Sequence, residues 1–271
     1  MLSPSHVASM RRVCAAAALV SMAAASQAAP VMVSVTVENL AAPSGIAFAP
    51  LHVGFGNGSF DSFDIGGVAG APIVSVAEGG SGSAWFPAFA AAEPGAVLGS
   101  VLPNPPGPLL SGASATASFI VDPSQNRYFS FAAMVVPSND FFVGNDNPMA
   151  YQLFDAAGNL QITSIVQRAR DVWDAGDEVF DPAAAAFVGN NDLRTAQNSV
   201  VALNFAELAG FNGLVTGAGY VFNSGLAADD AIYRISFAVA AVPEPGTYAL
   251  MLGGLVALAF VARRRGASAS M

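Results

Sequence analysis

The sequence predicts an all-β fold, an antiparallel β-sandwich, that lies between two terminal targeting segments. Short stretches in which apolar and polar residues alternate recur along the chain, as in strands with one buried face. Clusters of Gly, Pro, Ser, Asn and Asp separate these stretches and predict turns. One helix of two turns is predicted, over residues 149–156, ending at Gly158. Spaced short strands of this kind are typical of a sandwich.

Composition and charge exclude several classes of protein. The chain has 271 residues, of which 54% are hydrophobic and 11% are charged, and its formal net charge is −9. A disordered chain would be richer in charge, and a nucleic-acid-binding protein would carry a basic surface. All ten basic residues are arginine, and there is one cysteine, so a disulfide scaffold is excluded. We therefore expect an acidic, compact, exported protein with no nucleic-acid partner.

Residues 1–28 are typical of a secretory signal peptide. Two adjacent arginines precede a short apolar stretch, and Ser26 and Ala28 supply the small residues that a signal peptidase requires. We expect cleavage after Ala28; a buried N-terminal helix is the alternative. Cys14 leaves with this peptide, so the predicted body of the protein, residues 29–242, contains no cysteine.

The body is predicted to be one domain of strands and turns. Strands are predicted at residues 33–37, 117–121 and 233–239, which alternate, and at residues 128–136, which are apolar throughout and predict a strand covered on both faces. Turn clusters are predicted at residues 54–58, 79–83, 103–108 and 137–148. Residues 103–108 are rich in proline, and we interpret them as a rigid loop rather than a linker between domains.

Two acidic loops carry the candidate chemistry of the body. Asp140 follows the apolar strand, and Asp174 and Glu178 lie in residues 171–178; aromatic residues flank both groups. Carboxylates in turns commonly accept hydrogen bonds from nearby backbone amides, which is the simpler interpretation. Three carboxylates with loop carbonyls also suit calcium, which takes six to eight oxygen ligands. They repel one another without an ion, so calcium would relieve that repulsion.

Five segments in order give the body a family resemblance. They are VTVENL (residues 35–40), HVGF (52–55), GSFD (58–61), NRYFSFAAMVVPSNDFF (126–142) and DAG (174–176). With these segments, residues 31–240 resemble the spondin N-terminal domain, which opens F-spondin and mindin. The resemblance implies a β-sandwich similar to calcium-dependent membrane-binding modules, with one bound Ca²⁺. It implies Asp140 and Asp174 as the first two calcium ligands. The third family position falls on Glu178, and the adjacent Asp177 is the alternative.

Other reactive side chains have simpler interpretations. His52 lies in a strand-like segment, and we expect it to be packed or hydrogen-bonded rather than catalytic. A serine nucleophile elbow is missing from the sequence, and zinc is disfavoured because the body has one histidine and no cysteine. Trp85 is expected in the core. Trp173, beside Asp174, is the better candidate for a surface aromatic.

The C-terminal segment, residues 243–271, has three parts in a fixed order. A Pro-Glu-Pro motif is followed by an apolar run over residues 247–262 and then by three arginines. The run is near the short limit for a single membrane-spanning helix, and the arginines are expected to stay in the cytoplasm. The residues of this processing signal are Pro243, Glu244, Pro245, Arg263, Arg264 and Arg265.

This order of parts resembles the PEP-CTERM sorting signal of Gram-negative bacteria. The resemblance implies recognition by an exosortase, cleavage near the Pro-Glu-Pro motif and delivery to the cell surface or the extracellular matrix. It implies transient anchoring in the inner membrane with a cytoplasmic tail, and such signals accompany exopolysaccharide production. A plain tail anchor is the alternative.

Together, these features predict a non-enzymatic, exported protein with a calcium-stabilised domain for adhesion or for association with exopolysaccharide in a biofilm. Two other functions stay open from the sequence. One is a secreted glycoside hydrolase that uses Asp140 and Asp174, since such enzymes need two carboxylates in a cleft. The other is a calcium-dependent membrane-binding module.

Overall fold

The computed structural model describes residues 29–242, which form antiparallel sheets with few helices. The predicted all-β class is therefore confirmed. The signal peptide, the apolar run and the residues of the processing signal, including Pro243–Pro245 and Arg263–Arg265, lie outside the described residues. Across residues 29–242, every helix is too short or too polar to cross a membrane.

The first sheet has the strand order β5-β1-β11-β8. Its strands are β1 (Val31–Asn39), β5 (Ser114–Val121), β8 (Ser164–Arg168) and β11 (Ala231–Ala241). In β1 the valines at 33, 35 and 37 are buried and the residues between them are not, as the alternation predicts. On the other face, the hydroxyl groups of Thr36 and Thr116 form a hydrogen bond of 2.8 Å. This sheet therefore has one apolar and one polar face.

The second sheet has the order β10-β9-β7-β6-β3-β4, with β2 beside β6. Its strands are β2 (Ala47–Phe48), β3 (Leu51–Gly56), β4 (Val97–Val101), β6 (Tyr128–Val136), β7 (Phe141–Gly144), β9 (Trp173–Asp174) and β10 (Ala202–Leu203). Strand β6 is buried along nearly its whole length, as predicted. Its inner face shares a core with the first sheet, where the rings of Phe129 and Phe237 lie 4.8 Å apart.

Two helices cover the outer face of the second sheet, and the turn chemistry of the sequence does not predict them. They are α1 (Ala71–Gly79) and α2 (Trp85–Ala92), and they form a second core with Phe142. A Cβ atom at Gly54 would overlap the ring of Phe89, which is itself buried in α2. The predicted turn at residues 54–58 is therefore wrong in its first half. Gly54 lies in β3, and because it has no side chain the Phe89 ring of α2 can pack directly against the strand.

A buried carboxylate joins the end of α2 to the loop after β3. Glu93 is 3% exposed and accepts hydrogen bonds from the amides of Ser59 at 2.8 Å and Phe60 at 2.7 Å, and also from that of Asn57. The Glu93 carboxylate thus accepts hydrogen bonds from three backbone amides. These donors would otherwise be unpaired in the turn after β3. The helix and the loop are fixed together over the outer face of the sheet.

Two further predictions of local structure are wrong. Residues 149–156 are not helical: residues 149, 150 and 156 lie in turns or a bend, and residues 151–154 bond to the chain at the start of β6. There the Leu153 amide donates to the Arg127 carbonyl at 2.7 Å, and the Phe129 amide donates to the Tyr151 carbonyl at 2.9 Å. Backbone groups engaged with β6 are not free to form helical turns. Residues 137–148, predicted as a turn, contain β7, which pairs with β6.

The two ends of the described chain meet at one end of the first sheet. Strand β1 begins at Val31, which pairs with Ala241 at the end of β11. Opposite residues in such a pair lie about 5 Å apart. The chain therefore enters and leaves the body at the same end of the two central strands of this sheet.

We predict that Gly54→Ala destabilises the fold, because the new methyl group forces apart a sheet and a buried aromatic ring. Overpacking of this kind costs about 1–3 kcal/mol, equivalent to a fall in melting temperature of several degrees. The measurement is thermal unfolding of the full chain by circular dichroism. Gly107→Ala is the matched control, since a Cβ there meets nothing within 4 Å. Equal melting temperatures for the two variants would contradict the packing argument.

Candidate functional site

Asp140 lies between β6 and β7 and is buried, with 3% of its surface exposed. Its Oδ2 atom accepts hydrogen bonds from the amides of Asp177 at 3.0 Å and Glu178 at 3.1 Å. Its backbone carbonyl accepts a hydrogen bond from the Ala175 amide at 3.2 Å. A single residue of the first acidic loop therefore fixes the path of the second.

The two residues before Asp140 extend this attachment. Ser138 and Ala186 exchange backbone hydrogen bonds in both directions, of 2.7 and 3.4 Å. The Asn139 side chain donates to the Asp181 carbonyl and accepts from the Asp181 amide, each at 3.2 Å. We call residues 138–140 the anchor segment and residues 175–186 the tied loop. The anchor segment satisfies backbone groups along the tied loop without forming a regular sheet there.

Asp174 lies on β9 and pairs in register with Phe141, which follows Asp140. Its Oδ1 atom accepts from the Gly176 amide at 2.8 Å, and its Oδ2 atom accepts from the Asn204 side chain at 3.0 Å. The structure thus places Asp140, which directly precedes β7, beside the neighbouring strand that carries Asp174. Burial raises the pKa of Asp140 to about 8, and the adjacent Asp174 charge adds to the effect.

Glu178 turns toward a different partner. One carboxylate oxygen accepts from Arg194 at 3.2 Å, and the same guanidinium pairs with Glu78 of α1. The other oxygen of Glu178 is buried and accepts no hydrogen bond within the described residues, and the same is true of Asp177 Oδ1. Burial of Glu78, followed by the nearby Asp177 and Glu178 charges, raises the pKa of Glu78 to about 8.

We call these carboxylates the acidic cluster: Glu78, Asp140, Asp174, Asp177 and Glu178. Asp177 is the member whose charge acts on both Asp140 and Glu78. Sequence reasoning missed Glu78 and Arg194, because Glu78 is 116 residues from Arg194 and 99 from Asp177, and no local pattern connects them. The single cation in contact with the cluster is Arg194 among the residues that the structure describes.

The donor set of the cluster suits calcium, but its present arrangement does not gather three ligands. Within residues 29–242, no group of three or more His, Cys, Asp and Glu side chains is arranged to hold a metal ion. Hard carboxylate oxygens are nevertheless what calcium prefers, and two of them are buried without a hydrogen-bond partner. An ion would require Asp177 or Glu178 to turn toward Asp140. Calcium binding at Asp140, Asp174 and Glu178 therefore stays a prediction.

The structure also describes the surroundings of His52, Trp85 and Trp173, the other side chains singled out in the sequence. His52 is buried and bonds Ser100 Oγ at 2.9 Å and the Gly80 carbonyl at 3.0 Å, and burial lowers its pKa. Trp85 is fully buried in the outer core. Both outcomes confirm the simpler interpretations. Trp173 is half-buried and borders a cleft at the edge of the second sheet.

Comparison with known families identifies the C-terminal segment. The profile of the PEP-CTERM protein-sorting motif matches residues 241–265, which include every predicted residue of the processing signal. No curated protein matches the chain. The motif indicates an exported protein that an exosortase processes and that is sorted to the cell surface or membrane. The resemblance of residues 31–240 to the spondin N-terminal domain stays a prediction.

We predict that the metal-free protein loses stability as the pH rises from 5 to 9. The pKa values of Asp140 and Glu78 are about 8 when folded and near 4 when unfolded, so the folded chain binds more protons within this window. Deprotonation then charges buried groups. The measurement is the melting temperature of the full chain in a chelator at several pH values.

Neutral variants of the two acids provide the control. Asp140→Asn and Glu78→Gln should each reduce the fall in melting temperature, whereas Asp229→Asn, at an exposed ion pair with Arg170, should not. A melting temperature that rises with pH, or the same pH dependence in all variants, would contradict the buried charge of the cluster.

Proposed function

We propose that residues 29–242 are the surface-exposed body of an exported, non-enzymatic protein that acts in adhesion or in association with extracellular polysaccharide. The observation that carries this proposal is the sorting motif at residues 241–265. The acidic, lysine-free composition suits a body that remains soluble outside the cell and avoids nucleic acids. Two antiparallel sheets with a shared core support a spondin-like sandwich as its fold.

The position of the motif suits a body that survives processing. Strand β11 lies between β1 and β8, and its last residue, Ala241, pairs with Val31. Cleavage near Pro243–Pro245 would fall after this strand, so every hydrogen bond of β11 would be retained.

We also propose that one calcium ion stabilises the acidic cluster. Asp140 and Asp174 would hold it, with Asp177 or Glu178 as the third carboxylate. The unpartnered oxygens of Asp177 and Glu178 support this, since a buried carboxylate oxygen without a partner is costly. The ion would add positive charge to a cluster in which, among the described residues, Arg194 is the one cation. We expect a dissociation constant of about 10⁻⁴–10⁻³ M, as in other extracellular modules.

A carboxylate-dependent hydrolase is the second candidate function. The observation that favours it is the pKa of Asp140, raised to about 8 by burial beside a second carboxylate, since a buried acid with a raised pKa is typical of a general acid. Its weakness is access: Asp140 is 3% exposed and engaged with two amides. Turnover of a glycan that is lost in Asp140→Asn would favour this second candidate over the first.

We predict that the sorting motif controls where the protein accumulates. In a Gram-negative host with an exosortase, the wild-type chain should reach the cell surface in a form shortened at its C-terminus. A variant with alanine at Pro243, Glu244 and Pro245 should stay in the inner membrane at full length. Immunoblots of cell fractions and mass spectrometry of the C-terminus provide the measurement.

The same host without its exosortase is the control, and there the wild-type chain should behave as the variant does. Surface delivery of the triple variant, or of the wild-type chain without exosortase, would contradict the proposed route.

We predict that calcium raises the melting temperature of the full chain. An ion at one hundred times its dissociation constant adds about 2.7 kcal/mol to stability, or roughly 5–10 °C for a body of this size. The effect should be greatest near pH 8, where the cluster is charged, and absent in Asp140→Ala. Asp229→Ala is the matched control, because this exposed acid is outside the cluster. No shift at about 10 mM calcium would mean that the acids only bond backbone amides.

A further inference from the structure

A cleft of about 350 Å³ opens at the edge where the two sheets separate. One side is β8, the edge strand of the first sheet, and the other is formed by β7, β9 and β10 of the second. The side chains that matter below are Asp146, Asn147, Tyr151, Gln167, Asp171 and Trp173. The volume is at the lower end of the range of small-molecule sites, roughly 300–1,000 Å³. Neither Asp140 nor Asp174 lines this cleft.

The indole of Trp173 is held in a fixed orientation at the cleft. Its Nε1 atom donates to the Gly144 carbonyl at 3.1 Å, and its ring meets the ring of Phe63 edge-on at 5.2 Å and stacks near Phe142 at 6.5 Å. The residue is nevertheless partly exposed. An aromatic ring whose rotamer is already fixed loses little entropy when a ligand stacks on it.

The polar groups of the cleft are also held in position, and each has an unused atom. Asp171 accepts from the Arg168 amide at 2.8 Å, Asp146 from the Ile65 amide at 2.9 Å and Asn147 from the Met149 amide at 2.8 Å. Within residues 29–242, the second carboxylate oxygen of each aspartate and the amide nitrogen of Asn147 have no hydrogen-bond partner. The cleft is therefore lined by two aspartates and one asparagine that are each fixed by a backbone amide and keep one polar atom without a partner.

The charge of the lining decides which ligands fit. Two carboxylates and no lysine, arginine or histidine line the cleft, so phosphate, sulfate and uronic acid groups would be repelled. Hydroxyl groups suit it, since they donate to carboxylate oxygens and accept from an amide. The exposed side chains of Val166 and Leu203 add an apolar rim. We propose that this cleft binds a neutral saccharide, with one sugar ring stacked on Trp173 and its hydroxyls bonded by Asp171, Asp146 and Asn147.

The position of the cleft suits a polysaccharide outside the cell. Gln167, in the cleft, lies beside Tyr233 of β11, eight residues before Ala241. The cleft is therefore about 26 Å along the strand from the point where the chain enters the sorting motif. This inference deepens the proposed function and rests on it for the biological setting; the binding itself depends on the cleft alone.

The test measures saccharide binding to the full chain, purified in a detergent without a sugar headgroup. Neutral hexasaccharides of glucose, mannose and galactose are titrated in turn, and a hexasaccharide of galacturonic acid is the charged comparison. We expect saturable binding of a neutral probe by calorimetry, accompanied by a change in tryptophan fluorescence. The chain has two tryptophans and Trp85 is fully buried, so Trp173 is the reporter.

Variants locate the binding. Trp173→Phe keeps an aromatic ring in the packing but reduces the stacking face, and Asp171→Asn removes a charged acceptor; each should weaken binding about tenfold. Trp85→Phe is the matched control and should keep both the affinity and the fluorescence change. Circular dichroism verifies that each variant is folded.

The assignment is overturned if no neutral probe binds saturably, if the galacturonic acid probe binds more tightly, or if both cleft variants bind as the wild type does. Its failure is distinct from failure of the proposed function. Normal sorting without saccharide binding would contradict the cleft alone, whereas binding by a chain that is not sorted to the surface would contradict the exported role alone.

Discussion

The Oδ2 atom of Asp140 accepts hydrogen bonds from two consecutive amides, and this contact determines where the tied loop begins. The tied loop has no regular sheet of its own, and five of its amides, those of residues 175, 177, 178, 181 and 186, donate to the anchor segment. Its course in turn positions Glu178 beside Arg194 and aligns β9 with β7. The geometry of the acidic cluster therefore follows from one buried carboxylate.

This arrangement concentrates negative charge where water is scarce. Asp140 and Glu78 share the space around Asp177, and Arg194 offsets only part of the charge. Buried acids of this kind are relieved either by a proton or by a cation. The calcium ion proposed above would be such a cation.

How far the sequence predicts this structure depends on the range of the interactions. Strand β1 and strand β6 were predicted because burial on one face or two faces leaves a local pattern. Helix α2 was not, since its eight residues are apolar throughout and show no alternation of apolar and polar faces, and its partner Gly54 is of a residue type common in turns. The stretch before Gly158 has helical spacing, yet long-range backbone bonds to β6 override it.

The candidate site shows the same division. The carboxylates and flanking aromatics of both acidic loops indicate the site, and the structure brings Asp140, just before β7, close to Asp174 on the adjacent strand. The ion pairs of Arg194 depend on the packing of α1 against the tied loop, which leaves no trace in local sequence.

The central claim is that the Asp140 carboxylate holds the tied loop. Hydrogen exchange at the amides of Asp177 and Glu178 tests it most directly. We expect slow exchange in the wild-type chain, fast exchange in Asp140→Ala and intermediate exchange in Asp140→Asn, which retains an acceptor oxygen. Equal protection in all three proteins would contradict the account.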